Sequence, residues 1–200
     1  MSIPLLIGLT GGIGSGKTVC AKVFQELNVP IYSSDDEAKR LMIEDQLVIE
    51  AIRKAFGNES YTQEGLINRK HLSNVIFNDR SKLNTMNSIV HPAVRQDFIR
   101  WAQEQQGHPY IMQESALLIE IGAQAFFNKI VLVDAPEDIR LRRVMERDDA
   151  DEATVRARMS KQLSSEKKRA VADYIIDNDG QQGIIKQVIE THLAILNLRN

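Results

Sequence analysis

The feature that most constrains the fold of this chain is a glycine-rich loop at residues 11–18, which reads Gly-Gly-Ile-Gly-Ser-Gly-Lys-Thr. An apolar run at 5–9 precedes the loop, and apolar residues at helical spacing, among them Val19, Val23 and Leu27, follow it. Strand, loop and helix in this order are the expected context of the GxxxxGK[ST] motif, whose backbone N–H groups surround a phosphate. The sequence therefore predicts a site for a nucleoside triphosphate.

The parts of this P-loop have separate predicted tasks. Glycine lets the backbone take conformations closed to other residues and approach the phosphate closely. The Lys17 ammonium is expected to reach the β- and γ-phosphates, and the Thr18 hydroxyl is expected to ligate Mg²⁺. The predicted nucleotide-binding residues here are Gly12, Ile13, Gly14, Ser15, Gly16, Lys17, Thr18 and Val19.

Four more short apolar runs, at 29–32, 110–112, 130–133 and 174–176, are typical of buried strands. Strands that alternate with helical patterns predict an α/β fold with a parallel five-stranded sheet. The interval 35–109 is too long for one crossover helix, and its helical patterns at 47–56 and 83–89 predict an inserted helical lobe. A charged stretch at 150–170, with a single apolar stripe, predicts a thin, exposed helical arm.

Composition limits the partners. The chain has 200 residues and a net charge of −2, so it offers no global attraction to nucleic acid or to an anionic membrane. The first residues resemble neither a signal peptide nor a membrane span. The lone Cys20 cannot form an internal disulfide, and we expect it to be a buried small residue rather than a reactive thiol. We expect small-molecule substrates, a cytoplasmic location, and a monomer or weak homo-oligomer.

A P-loop alone does not identify the reaction. GTP-dependent switch proteins need an Asn-Lys-x-Asp guanine reader, which this sequence lacks, and the DxxG match at 177–180 comes too late in the chain for a switch. Transport ATPases need a signature helix, of which there is no trace. A kinase needs a carboxylate that activates the acceptor and cations that stabilise the transferred phosphoryl group.

Candidates for both groups are present. Asp35 or Asp36, directly after the second predicted strand, could accept the proton of an attacking hydroxyl, although Ser34 or Asp35 could instead cap the next helix. Glu114, after the third strand, could hold a Mg²⁺-bound water or be an exposed strand-end acid. Three arginines share one helix face and could form either a phosphate clamp or a solvated face paired with nearby acids. These are Arg140, Arg143 and Arg147.

Several segments together resemble the dephospho-coenzyme A kinase family. They are the P-loop, the acidic pair at 35–36, His-Pro-Ala-Val-Arg at 91–95, Leu-Leu-Ile-Glu at 117–120, Val-Asp-Ala-Pro at 133–136, Arg-Met-Ser-Lys-Gln at 158–162 and the segment 172–180. They occur in order from about residue 5 to residue 190. The resemblance implies transfer of the ATP γ-phosphoryl group to the ribose 3′-hydroxyl of dephospho-coenzyme A, with ATP and Mg²⁺ as ligands.

The resemblance also implies a division of the chain and roles for single residues. It implies a core at about 1–36, 108–140 and 172–200, a helical acceptor-binding insertion at about 37–107 and a lid at about 141–171. Asp35 is the expected general base. Arg140 and Arg143 are expected to contact phosphate, and Asn178 the adenine. The residues expected to face the acceptor are His91, Arg95 and Leu117, although His91 could instead cap a helix that begins at Pro92.

The sequence departs from the family pattern in two places. Ser33 stands where the family has the first acid of an Asp-Ala-Asp motif. The segment 114–120 begins with glutamate instead of aspartate and has Ala116 in place of proline. The second departure concerns the shape of the loop at 114–120 and not the expected chemistry. The nearest alternative is a nucleoside or nucleotide kinase with the same core and another acceptor.

Overall fold

Five strands form one sheet in the order β2-β3-β1-β4-β5, and every neighbouring pair is parallel. The computed structural model describes residues 4–76 and 79–199. The strands are β1 (Leu5–Gly11), β2 (Ile31–Ser33), β3 (Tyr110–Glu114), β4 (Lys129–Asp134) and β5 (Tyr174–Asp177). Each strand overlaps the apolar run that predicted it, and the predicted five-stranded parallel sheet is confirmed.

The central strand β1 is covered on both faces. Ile7 is fully buried in a core shared with α1 (Lys17–Glu26) and α9 (Ile184–Leu196). The next residue, Gly8, belongs to the opposite face because side chains alternate along a strand. An added Cβ there would lie 2.7 Å from Cδ1 of Leu118. The alternation therefore places a second apolar layer against the sheet.

The chain divides into two compact units, one made of the residues before Ser34 and after Trp101 and the other of Ser34–Trp101. The second unit is helical. Its helices are α2 (Ser34–Glu44), α3 (Gln46–Phe56), α4 (Arg69–Ile76) and α5 (Arg80–Glu104), the last of which ends in the first unit. Ile52, Phe56 and Leu72 are among the buried residues of its core.

Helix α5 is a single helix of 25 residues that runs through Pro92. The pattern at 83–89 is therefore part of a longer element, and the alternative of a helix that begins at Pro92 is wrong. Pro92 lies inside the helix, where it removes one backbone hydrogen bond. It was therefore misleading as a sequence signal for the start of a helix. Across residues 4–76 and 79–199, no helix is both long and apolar enough to cross a membrane.

The predicted exposed helical arm at 150–170 is wrong in two respects. The segment forms two helices, α7 (Glu152–Met159) and α8 (Ser165–Arg169), after α6 (Glu137–Asp148). It is also not fully exposed, because Val155 is completely buried in a cluster with Leu141 and Val144 of α6. A single apolar stripe predicts a helix but does not show that the helix folds back on its predecessor.

Candidate functional site

The P-loop joins the end of β1 to the start of α1, as predicted. Gly14 and Gly16 have φ angles of 79° and 90°, in the left-handed region that favours glycine. An added Cβ on Gly16 would also clash with Nδ2 of Asn178. Helix α1 begins at Lys17, so its unpaired N–H groups and the positive end of its dipole lie at the loop, where an anion binds favourably.

Two hydroxyl groups at this loop are buried without a partner. Oγ1 of Thr10 and Oγ of Ser15 form no hydrogen bond with any described residue, and both residues are almost completely buried. A buried polar group without a partner costs about 1–3 kcal/mol, so such groups usually indicate a ligand or bound water. Their position beside a helix N-terminus is consistent with a polar, anionic ligand.

Lys17 and Thr18 both contact Glu114 at the end of β3. The Lys17 ammonium forms an ion pair with Oε1 of Glu114, and Oγ1 of Thr18 donates a hydrogen bond to the same oxygen at 3.1 Å. Glu114 is only 8% exposed, so the alternative of an exposed strand-end acid is wrong. The register explains the contact, because Glu114 pairs with Leu9 of β1 just before the P-loop.

The same oxygens suit a hard cation. Mg²⁺ prefers oxygen ligands, and in nucleotide sites it is held by one or two protein groups together with phosphate oxygens and water. The Thr18 hydroxyl and the Glu114 carboxylate supply oxygens of this kind, 3.1 Å apart. Among the described residues, no group of three or more His, Cys, Asp or Glu could hold a metal by itself. The donor set therefore fits a metal that binds together with a nucleotide.

The sequence left open whether the three arginines of α6 form a phosphate clamp or a solvated face paired with nearby acids. In the structure they do not share one environment. Arg140 is buried, its Nε donates to the carbonyl oxygen of Ala135 at 3.0 Å, and a Cβ on Gly12 would lie 2.5 Å from its Nη1. Arg143 donates to the carbonyl oxygen of Gly14 at 3.5 Å. Arg147 is instead paired with Asp148. Only the first two lie against the P-loop.

Asn178 supports the P-loop backbone, a contact that the sequence did not predict. Its Nδ2 donates to the carbonyl oxygen of Ser15 at 2.8 Å, and its Oδ1 accepts from Arg143 at 3.4 Å. Its own N–H donates to the carbonyl oxygen of Asp134 at 2.7 Å. The side chain thus connects the loop to α6. The predicted contact of Asn178 with adenine stays a prediction.

A second charged cluster, which the sequence analysis did not predict, lies where β4 and β5 end. The buried carboxylate of Asp134 accepts from Oγ of Ser165 at 2.9 Å and from Nε of Arg169 at 2.6 Å. Arg169 also pairs with Asp177. Burial lowers the pKa of Arg169, but its hydrogen bonds to the two carboxylates outweigh that effect and raise it. The cluster lines a cavity of about 960 Å³ that also includes Arg140.

The remaining predicted site residues divide between the two units. Leu117 and Val19, which are 40% and 53% exposed, belong to the α/β unit. In the helical unit, Asp35 and Asp36 are in the first turn of α2, and Asp36 forms an ion pair with Lys39 at 2.8 Å.

The two residues predicted to face the acceptor from the helical unit are one turn apart on α5. His91 is half-buried, and burial lowers its pKa, while Arg95 is exposed. Residues at i and i+4 lie on the same face of a helix. His91 and Arg95 can therefore act on the same ligand.

A sequence model described as dephospho-CoA kinase matches residues 5–183. The chain belongs to the dephospho-CoA kinase family. The dephospho-CoA kinase of Salinibacter ruber is 40% identical over 177 residues, which cover 87% of this chain and 88% of the relative. That of Mannheimia succiniciproducens is 35% identical over 198 residues, covering 96% and 92%.

Solved structures agree with the fold. A structure from Thermus thermophilus has a TM-score of 0.85 and 29% identity, and the match covers 96% of this chain and 98% of that one. The dephospho-CoA kinase of Campylobacter jejuni has a TM-score of 0.66 at 22% identity, covering 97% and 98%. The second likeness shows the fold alone. Both matches support the predicted α/β fold with its parallel sheet.

Proposed function

We propose that this member of the dephospho-CoA kinase family transfers the γ-phosphoryl group of ATP to the ribose 3′-hydroxyl of dephospho-CoA, the last step of coenzyme A synthesis. The observation that carries the proposal is the convergence of Lys17, Thr18 and Glu114 at the P-loop. This arrangement supplies a cation for the phosphates and oxygens for a metal in a chain whose family is established.

On the donor side, the bound triphosphate replaces Glu114 as the partner of Lys17. The ammonium then stabilises the negative charge on the transferred group, and Arg140 and Arg143, which lie against the loop, add positive charge. Thr18, assisted by Glu114, would hold Mg²⁺, which would supply further charge neutralisation at the phosphates. Closure of the predicted lid, 141–171, would exclude water.

On the acceptor side, Asp35 is the general base. The ribose 3′-oxygen forms a bond to the γ-phosphorus, the bond from that phosphorus to the β–γ bridging oxygen breaks, and the hydroxyl proton moves to Asp35. Support comes from chain connectivity, because β2 ends at Ser33, which pairs with Glu114, and Asp35 follows two residues later. The contacts of His91, Arg95 and Leu117 with the acceptor remain part of the proposal.

The acceptor assay tests the function. ADP release is measured with ATP and one acceptor at a time, among them dephospho-CoA, a nucleoside and a nucleoside monophosphate, and is then repeated with GTP. We expect turnover with dephospho-CoA to exceed turnover with the other acceptors by orders of magnitude. Faster turnover with a nucleoside or nucleotide would indicate the alternative kinase. GTP hydrolysis without acceptor phosphorylation would indicate a switch protein.

A further inference from the structure

The turn at 160–164, between α7 and α8, contacts the P-loop directly. Oε1 of Gln162 accepts a hydrogen bond from the backbone N–H of Ile13 at 2.8 Å, across 149 residues of sequence. A backbone N–H can only donate, so the oxygen of the Gln162 amide must face the loop. Its Nε2, with two N–H donors, therefore points away from Ile13. Gln162 also lines the cavity that includes Arg140 and Arg156.

The side chain of Ile13 is engaged by the same region of the chain. It packs against the buried cluster of Leu141, Val144 and Val155. Both the backbone and the side chain of this P-loop residue therefore contact the segment 141–171. Gly14 also lies close to this segment, because an added Cβ on Gly14 would be 2.8 Å from Cγ2 of Val144. The tip of the P-loop is thus fitted to this segment.

A buried carboxylate holds the turn in place from the other side. Oε1 of Glu120 accepts from the backbone N–H of Leu163 at 3.0 Å and lies 2.8 Å from Nζ of Lys168, whose side chain is only 2% exposed. Removing one partner of a buried ion pair leaves the other charge uncompensated, which opposes any displacement of the turn. The position of Gln162 is therefore fixed by its own hydrogen bond to Ile13 and by the contacts of Glu120 with the residues that follow it.

We propose that Gln162 is a positioning residue that couples the 160–164 turn to the P-loop and thereby favours phosphoryl transfer over hydrolysis of ATP. The proposal rests on the proposed function. When the turn is bound to Ile13, the predicted lid keeps its position against the P-loop and limits the access of water to the γ-phosphorus. Without this bond, water competes with the acceptor for the γ-phosphorus, and ADP and inorganic phosphate form in place of the phosphorylated acceptor.

The contact itself is tested by hydrogen exchange of the Ile13 amide, measured by NMR in the nucleotide-free protein. Gln162→Leu removes the acceptor and should speed this exchange at least about fivefold, the effect of one net hydrogen bond of about 1 kcal/mol. Gln162→Glu keeps an acceptor oxygen and should leave exchange within about twofold of wild type. Unchanged exchange in Gln162→Leu would overturn the proposal. If that variant does not fold, Gln162→Asn, whose amide is one methylene shorter, gives the same comparison.

The function of the contact is tested by the ratio of ATP hydrolysis to acceptor phosphorylation. This ratio should rise about fivefold in Gln162→Leu. Gln162→Glu should not restore normal transfer, because it places a negative charge beside the triphosphate. The matched control is Gln25→Leu at an exposed position of α1, which should leave the ratio unchanged. An equal loss of hydrolysis and transfer in Gln162→Leu would show a merely structural residue and refute the proposal.

Failure of the proposed function would be seen separately. If the wild-type protein does not phosphorylate dephospho-CoA, the proposed reaction is wrong. The Ile13 exchange experiment needs neither substrate and would still show whether Gln162 holds the loop.

Discussion

The buried ion pair between Glu120 and Lys168 allows a quantitative test of how the 141–171 segment is held. The charged atoms are 2.8 Å apart, and the side chains are 12% and 2% exposed. At an effective dielectric constant of about 20, two unit charges at this distance attract each other by about 6 kcal/mol. Nζ of Lys168 has no aligned hydrogen bond, and Oε2 of Glu120 has no partner among the described residues. The attraction therefore depends on charge.

Lys168→Met should lower the free energy of unfolding by about 3–5 kcal/mol, because it leaves the Glu120 carboxylate buried without a counter-charge. The double variant Glu120→Gln/Lys168→Met should recover most of this loss. It buries no net charge, and the glutamine oxygen can still accept from Leu163. Lys167→Met, at the exposed neighbouring position, is the control and should change stability by less than about 0.5 kcal/mol.

The assay is urea denaturation followed by far-ultraviolet circular dichroism, with the free energy extrapolated to water for all four proteins. The reasoning is refuted if Lys168→Met changes the free energy of unfolding by less than about 1 kcal/mol. It is also refuted if the double variant is no more stable than Lys168→Met, because uncompensated charge would then not be the cause.

Four further predictions follow from single residues. Asp35→Asn should abolish transfer with ATP affinity kept, whereas Asp36→Asn should remain active in the same turnover and nucleotide-binding assays. Lys17→Ala should lower kcat by about 10²–10³, and a mild effect in steady-state kinetics would contradict its phosphate contact. Burial lowers the pKa of His192, so the folded state favours the neutral imidazole. The free energy of unfolding should therefore fall as pH drops from 6.5 through the lower folded-state pKa, and unfolding curves of His192→Gln should lack this pH dependence. Burial raises the pKa of Cys20 to about 12, so a thiol reagent should react with it only after denaturation.

Local sequence patterns were sufficient for the sheet and the P-loop. Five apolar runs predicted five strands, and the glycine spacing predicted the loop, because both depend on neighbours in sequence. The 150–170 segment was misjudged because its apolar stripe is sparse. Val155 is buried by α6, and the spacing of apolar residues within the segment 150–170 does not reveal this contact.

The contacts that shape the site are long-range and could not be obtained from spacing. The Lys17–Glu114 and Ile13–Gln162 contacts join residues 97 and 149 positions apart. The arginine face shows the same limit. Helical spacing placed Arg140 and Arg147 together, but their roles depend on neighbours, which are the P-loop for one and Asp148 for the other.

The most direct test of the central claim is to identify the product of the wild-type reaction. Dephospho-CoA, ATP and Mg²⁺ are incubated with the protein, and the product is analysed by mass spectrometry and phosphorus NMR. We expect one added phosphoryl group, on the ribose 3′-oxygen, in step with ADP formation. No phosphorylated dephospho-CoA, or a phosphate at another position, would contradict the claim that this P-loop serves a dephospho-CoA kinase reaction.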